Sequence, residues 1–293
     1  MIARRSSVSV CTVAALFLAG DLGLSTVIAS DELTFTFTTI DVPGADQTHP
    51  TSINEAGAIV GFFFPPDLST HGFLLRSGTF ESIDVPGANQ TFPTGINDVG
   101  DIVGFYVDDE FRNFGYLMSQ GEVTTIQFAD FSTVANDINA GGDIVGDYQD
   151  ADGNVHGFLL SGGVFSSIDA PGAIQTQALG ISDDGRIVGL AVDADFAIRV
   201  FLLDKGAFTF IEVPGAAEIS PTGINSAGQI VGLYADSFGS PQGFLLTRGT
   251  LTNIDAPGAI LTIPAGINAR GQIVGRYIDQ NRVSHAFVAD PIR

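Results

Sequence analysis

Apolar and polar positions alternate over short runs of four to eight residues, and glycine or proline breaks each run within about a dozen positions. No stretch keeps the i, i+3, i+4, i+7 spacing of an amphipathic helix, so the pattern predicts strands joined by turns. The clearest run is GINDVGDIVGFY, starting at Gly95. It recurs as SINEAGAIVG at 52, DINAGGDIVG at 137, GISDDGRIVG at 180, GINSAGQIVG at 223 and GINARGQIVG at 266, with spacings of 43, 42, 43, 43 and 43 residues. A second element precedes each copy (IDVPGA at 40 and 83, IQFADF at 126, IDAPGA at 168 and 254, IEVPGA at 211). A third follows, as HGFLL at 71 and 156, FGYLM at 114, RVFLL at 199, QGFLL at 242 and HAFVA at 285.

Each of the six copies therefore holds four strand candidates. In the second copy they are a (80–84), b (94–97), c (101–106) and d (115–118). Four strands in a unit of about 40 to 50 residues are the measure of one β-propeller blade, and helical repeats of similar length lack the required periodicity here. The expectation is an all-β, six-bladed β-propeller with four-stranded antiparallel blades, its repeats starting near 34, 79, 122, 164, 207 and 250. Strand c is apolar on both faces, as for a strand packed between blades. Its glycines (Gly61, Gly104, Gly146, Gly189, Gly232, Gly275) invite close approach, with a d-element ring such as Phe73 or Phe244 as the expected filler. In strand a, Phe80 and Ile83 lie three apart, which suggests a bulge there. Short d-to-a turns place d and a in one blade, so the a-to-b link with its rigid Pro crosses to the next. The chain opens with an a strand and closes with a d strand, so the amino-terminal strand is expected to complete the last blade and remove an open edge.

Composition adds a compartment. Arg4 and Arg5 precede an apolar run over 8–20 that Asp21 ends, and Val27-Ile28-Ala29-Ser30 follows. This reads as a secretory signal peptide over 1–29, leaving a single domain over 30–293. Cys11 lies within the leader, so the mature chain has no cysteine and rests on packing rather than disulfides. Without the leader, 10 basic residues face 32 acidic ones. That balance excludes nucleic acid and anionic lipid surfaces as partners, because both require clustered Lys and Arg. No membrane span is expected in the mature chain, and a monomer is.

The GIN-x-x-G-x-IVG motif followed by HGFLL or HAF resembles the HAF family of probable extracellular repeats, named for His-Ala-Phe as at His285-Ala286-Phe287. The resemblance runs through all six copies, although the fourth lacks the His and Gly before Phe201 and the third lacks the Pro-Gly turn. It implies export and a propeller-like fold, and no reaction.

For function, strand direction puts the long c-to-d loops on one rim, the upper one, where propellers vary their loops for binding. Five of these loops place Asp108, Asp150, Asp193, Asp236 and Asp279 four residues after the strand-c glycine, with Asp67 slightly later in the first. A carboxylate ring collecting cations or sugar hydroxyls is one reading, and a recurrent turn residue is the other. Asp150, Asp152 and Asn154 present alternate oxygens around Gly153, a set that suits Ca²⁺. His71, His156 and His285 open the d element in three copies and point to a repeated structural bond. His49 and Arg199 break the repeat, and His49 is weighed as an acid or base with Asp193 or Tyr106. With no Trp, Phe92 and Tyr106 are the candidates for stacking on sugar. The leading expectation is a secreted binding module for carbohydrate or cell-surface partners. An extracellular hydrolase or lyase acting on polysaccharide is the alternative, and a structural envelope protein the third.

Overall fold

The computed structural model describes residues 34–128, 132–213 and 216–292. The expected leader over 1–29 lies outside them. β1 (Phe35–Thr39) comes first. Blade 1 follows as β2 (Gln47–Ile53), β3 (Ile59–Phe64), β4 (His71–Arg76) and β5 (Thr79–Ile83). Blade 2 is β6 (Gln90–Ile96), β7 (Ile102–Val107), β8 (Asn113–Ser119) and β9 (Glu122–Ile126). Blade 3 is β10 (Thr133–Ile138), β11 (Ile144–Gln149), β12 (Val155–Ser161) and β13 (Val164–Ile168). Blade 4 is β14 (Ala173–Ile181), β15 (Ile187–Asp193), β16 (Ile198–Asp204) and β17 (Ala207–Ile211). Blade 5 is β18 (Ala216–Ile224), β19 (Ile230–Asp236), β20 (Pro241–Thr247) and β21 (Thr250–Asn253). Blade 6 holds β22 (Ala259–Ile267), β23 (Ile273–Asp279) and β24 (Ser284–Pro291), and β1 pairs with β24 as its fourth strand. The chain thus forms a six-bladed β-propeller, and the register Phe35↔Pro291 to Thr39↔Phe287 is the expected clasp.

The first strand of every blade is innermost, since residues from all six line one axial pocket. Packing occurs between blades. Val60, Leu74 and Ile83 of blade 1 meet Ile96, Ile102 and Tyr116 of blade 2, while Ile53, Ile59 and Phe73 meet Val274 of blade 6. Burying both sheet faces in this way explains the apolar c strands, and Val60, Val103, Val145, Val188, Val231 and Val274 are all fully buried.

Two expectations change. Strand a carries no bulge: β5 pairs with β4 in unbroken register, and Phe80 and Ile83 lie three apart because they face opposite neighbours, one packing with Phe73 and the other with Tyr116. The bulge sits in the innermost strand of each blade, as between Pro50 and Ser52 or Pro93 and Gly95. That strand is also longer than its motif, since 90–93, read as part of a crossing, is strand in β6. Proline is tolerated there because an edge strand facing the axis has no ladder bond to lose. The bulge explains the strand-c glycine too. A Cβ at Gly146 would strike the Val134 carbonyl and lie 2.7 Å from the Phe158 ring. Equivalent rings of Tyr116, Phe201, Phe244 and Phe287 crowd Gly104, Gly189, Gly232 and Gly275.

Hydrogen bonds tie blade to blade at the lower end of the inner strands. The Asn that opens five of the six hairpins, and Ser182 in the other, accepts from its own turn, as from Asp101 N to Asn97 Oδ1 at 2.9 Å. Except at Asn97, the Asn amide also reaches the next blade: Asn54 donates to the Asn97 carbonyl at 2.9 Å, Asn139 to that of Ser182 at 3.4 Å, Asn225 to that of Asn268 at 2.9 Å, and Asn268 to that of Asn54 at 3.1 Å, across the ring closure. One row above, Thr51 donates to the Pro93 carbonyl at 2.9 Å and Thr94 to that of Ala135 at 2.7 Å.

Candidate functional site

The recurrent upper-rim aspartates serve their own loops. Asp108 Oδ1 accepts from the backbone N–H of Glu110 and Arg112, Asp193 Oδ1 from Asp195 and Ala197, Asp236 Oδ1 from Phe238 and Ser240, and Asp279 Oδ1 from Asn281 and Val283. Asp67 caps Ser69 in the same manner. These bonds hold Asp67, Asp193 and Asp279 below the usual carboxylate range, and the Arg112 guanidinium, helped by its backbone N–H, does the same for Asp108. Each member of the expected carboxylate ring thus caps its own turn through Oδ1.

Around the candidate Ca²⁺ ligands Asp150, Asp152 and Asn154 the loop also bonds itself. Asp150 Oδ1 accepts from the N–H of Asp152 at 2.9 Å and of Asn154 at 2.8 Å, and Oδ2 accepts from the Asn154 amide at 2.9 Å and approaches His156 Nε2 at 3.2 Å. Led by the Asn154 amide, these partners pull the Asp150 carboxyl down to about 2. Asn154 turns its donor inward, and among the described residues no group of three or more His, Cys, Asp or Glu is placed to hold a metal.

His71, His156 and His285 make one repeated contact, from Nδ1 to Asp84 at 2.8 Å, Asp169 at 2.7 Å and Asp41 at 2.8 Å. His49 differs. Its ring stacks on Phe62 with centroids 4.8 Å apart, and its Nε2 lies 3.1 Å from Gln47 Oε1. Burial, helped by the Arg276 charge, lowers its pKa to about 4, so it is neutral near pH 7. The acid/base pairings weighed for it are not assembled. Asp193 and Arg199 form an ion pair at 2.9 Å in blade 4, three blades away, and the Tyr106 hydroxyl meets Thr125 at 3.3 Å while its ring stacks on Phe114.

His49 belongs to a feature that the motif alignment hides. In every blade the residue before the bulge pairs with the residue after the strand-c glycine: His49↔Phe62, Phe92↔Phe105, Val134↔Asp147, Gln177↔Leu190, Ser220↔Leu233 and Ile263↔Arg276. These pairs line the upper half of the inner ring and differ in all six blades. Blades 1 and 2 supply an aromatic wall. Phe64 joins His49 and Phe62, Phe62 meets Phe92 edge-on at 5.1 Å, and Phe92 stacks on Phe105 at 4.7 Å. Blade 3 supplies Asp147, which accepts from Asn136 at 2.9 Å and Gln177 at 3.5 Å and is pushed up by burial. Phe92, a predicted stacking residue, sits in this wall, whereas Tyr106 does not.

The rims differ as well. Leu68, Phe111, Gly153, Phe196, Gly239 and Arg282 occupy one equivalent position at the tips of the upper turns, all with positive φ. Glycine suits that conformation, and a bulky side chain in it costs about 1 kcal/mol. Even so, Leu68, Phe111 and Phe196 stand there 76%, 80% and 78% exposed, and Phe238 beside Gly239 is 92% exposed. The lower d-to-a turns also contain positive-φ residues, but these are Ser77, Gln120, Gly162, Lys205 and Arg248. Sequence reasoning passed over these tips. The signal was available as Phe111 and Phe196 standing where other repeats have glycine.

No family model matches the sequence, and no curated protein does. Among solved structures, the chain is similar to AofleA from Arthrobotrys oligospora at 12% identity and a TM-score of 0.53, over 88% of this chain and 90% of that one. It is similar to the six-bladed lectin from Aleuria aurantia, described with a novel mode of fucose recognition, at 14% identity and a TM-score of 0.50, over 86% and 93%. A likeness to TolB from Acinetobacter baumannii, at 14% identity and a TM-score of 0.50, covers 87% of this chain and 55% of that one. At such identities the likeness is one of fold, shared by propellers that include lectins, and no helix among the described residues is long and apolar enough to cross a membrane.

Proposed function

We propose that this protein is an exported binding module of the HAF type that docks its upper rim onto an extended neutral glycan, as on a cell surface. The observation that carries the reading is the set of exposed tips, Leu68, Phe111, Phe196 and Phe238. Large apolar side chains left in water, three of them held in an unfavourable left-handed conformation (Leu68, Phe111, Phe196), add nothing to folding, so their use lies outside the fold. Distributed over blades 1, 2, 4 and 5, they suit a broad surface rather than one small ligand. Flat rings suit the C–H faces of sugars. The caps beside them are carboxylates and the chain is acidic, which disfavours anionic lipid and nucleic acid. The aromatic wall of His49, Phe62, Phe92 and Phe105 supports the same reading, as does the presence of lectins among the proteins of like fold. Export rests on the leader motif alone, and amino-terminal sequencing of the mature protein, expected to begin at Ser30, checks it.

Sedimentation with insoluble neutral polysaccharides and isolated cell envelopes tests the docking. A variant carrying Leu68→Ser, Phe111→Gly, Phe196→Gly and Phe238→Ser is expected to melt within a few degrees of the parent, because relief of left-handed strain offsets the added flexibility, and to lose pelleting at least tenfold. Undiminished pelleting removes the reading. New reducing or unsaturated ends in the same incubations redirect it to the hydrolase or lyase.

A further inference from the structure

A second concave site opens on the opposite, lower rim. Between blades 1 and 2 lies a cleft of about 730 Å³, within the size range of small-ligand sites. The axial pocket is only about 80 Å³. One lining residue stands out. Ala58, at the start of a strand c, stands where the other repeats carry Asp101, Asp143, Arg186, Gln229 and Gln272. Asp101 and Asp143 bond the Asn of their own turn, and the three longer side chains reach further. Gln229 Nε2 reaches Thr247 at 3.3 Å, the Gln272 amide bonds Asp290, and Arg186 reaches across to the Ser226 carbonyl at 2.7 Å. Ala58 reaches nothing, and the space it leaves is lined by Ile83 and Ile102, buried at the bottom, with Met118 beside them. Arg76 and Glu81 stand exposed at the mouth.

We infer that this cleft is a binding site for one or two rings of a neutral saccharide, separate from the upper docking surface. Arg76 occupies the place of Thr247 and Asp290, which in blades 5 and 6 bond the long residue that blade 1 lacks. Arg76 and Glu81 face the cleft from adjacent strands, and neither makes a hydrogen bond or ion pair among the described residues. Of the other two carboxylates in the lining, Asp98 accepts from the Glu55 N–H, and Asp84 is held by His71 at 2.8 Å and Ser82 at 2.7 Å. The two free groups balance in charge and offer donors and an acceptor side by side. A neutral ligand with adjacent hydroxyls satisfies both while its C–H face covers the aliphatic base, whereas an anion leaves Glu81 opposed and a simple cation leaves Arg76 opposed. The saccharide class rests on the glycan reading above, while the existence of the site rests on the cleft itself.

The test is titration of a panel of neutral methyl hexopyranosides and disaccharides, with free amino acids and uronic acids as competitors in class, followed by ligand-observed NMR. Ala58→Gln installs the residue that repeats 5 and 6 already carry. It is expected to keep the melting temperature and weaken saccharide binding at least tenfold, and Arg76→Gln and Glu81→Gln, both at exposed positions, are each expected to weaken it about tenfold. Saccharide binding indifferent to all three changes overturns the inference, as does preference for an amino acid or a uronic acid. The upper-rim variant separates the two proposals. It is expected to bind soluble saccharide normally while no longer pelleting with polymer, and Ala58→Gln is expected to do the reverse. If Ala58→Gln leaves both readouts intact, the cleft inference falls and the docking reading stands.

Discussion

The two ends of the inner strands are made from the same chain segments yet follow opposite rules. At the lower end, Asn54, Asn97, Asn139, Asn225 and Asn268 occur in five of six blades, with Ser182 in the other, and each bonds its own turn. At the upper end the paired positions run from His49 and Phe62 to Ile263 and Arg276 and no two blades agree. Recurrence marks the positions that every blade needs in order to pack. Variation marks the places where the finished scaffold is free to present chemistry, which is why the strand-c glycine is kept while the residue after it is Phe62, Phe105, Asp147, Leu190, Leu233 or Arg276.

Changes at shared positions should therefore damage stability and changes at variable ones should not. The largest expected effect comes from removing β1, which strips blade 6 of a strand and exposes β24. The melting temperature should fall by tens of degrees, and an unchanged value would show that the ring closes without the clasp. Next is Asp137, an exception within the regular end, because it stands where repeats 2, 4, 5 and 6 have glycine. Its carboxylate accepts from the N–H of Ile138 at 2.9 Å and of Ile181 at 3.0 Å in the next blade, and burial pushes its pKa up to about 7. A carboxyl whose folded pKa lies above its unfolded one favours the folded state at low pH, and that contribution fades as pH rises from about 4 through about 7. Asp137→Asn should flatten the dependence, so that denaturant curves at pH 5 and pH 8 differ by up to about 3 kcal/mol more in the parent than in the variant. Gly146→Ala should cost about 3 kcal/mol, since its Cβ has no room between the Val134 carbonyl and the Phe158 ring. Asn268→Ala should cost about 2 kcal/mol by leaving the Gln272 N–H of its own turn unpaired and removing the cross-blade bond to the Asn54 carbonyl, which keeps only the Gly57 N–H. Phe92→Ala, at a half-buried variable position, should cost only about 1 kcal/mol. A Phe92→Ala loss exceeding that of Asn268→Ala would collapse the distinction between the two ends.

How much of this was written in the chain follows the same division. Blade number, blade phase and the clasp were legible because the turn residues and apolar c strands repeat at nearly constant spacing, and repetition amplifies a local signal. The length of the inner strands was not, since Gln90-Thr91-Phe92-Pro93 contains a proline that a strand accepts only at an edge, and edges are known once the ring exists. The bulge was misplaced for a related reason. Spacing by three in strand a has two sources, a bulge or a strand packed on both faces, and neighbouring blades decide between them. The asparagines were read as turn formers, while their second bonds run to the following blade some 43 residues on. The aspartate ring was visible as a pattern but not as chemistry, because the direction of a carboxylate depends on whether the loop closes beneath it. Ala58, a small residue that draws no attention in a motif, lies in a cleft of about 730 Å³ where other repeats carry longer side chains.

The clasp has a consequence for biogenesis. β1 leaves the ribosome before all six blades, and its partner β24 emerges after five of them have been made, so no intermediate length of nascent chain can seal the circle. Phe35 and Phe37 must wait, uncovered, until Phe287 and Pro291 arrive. Such delayed closure keeps the newly made polypeptide pliable for as long as it is incomplete and favours assembly in a single late step, the behaviour a protein needs if it is to be threaded elsewhere before it sets.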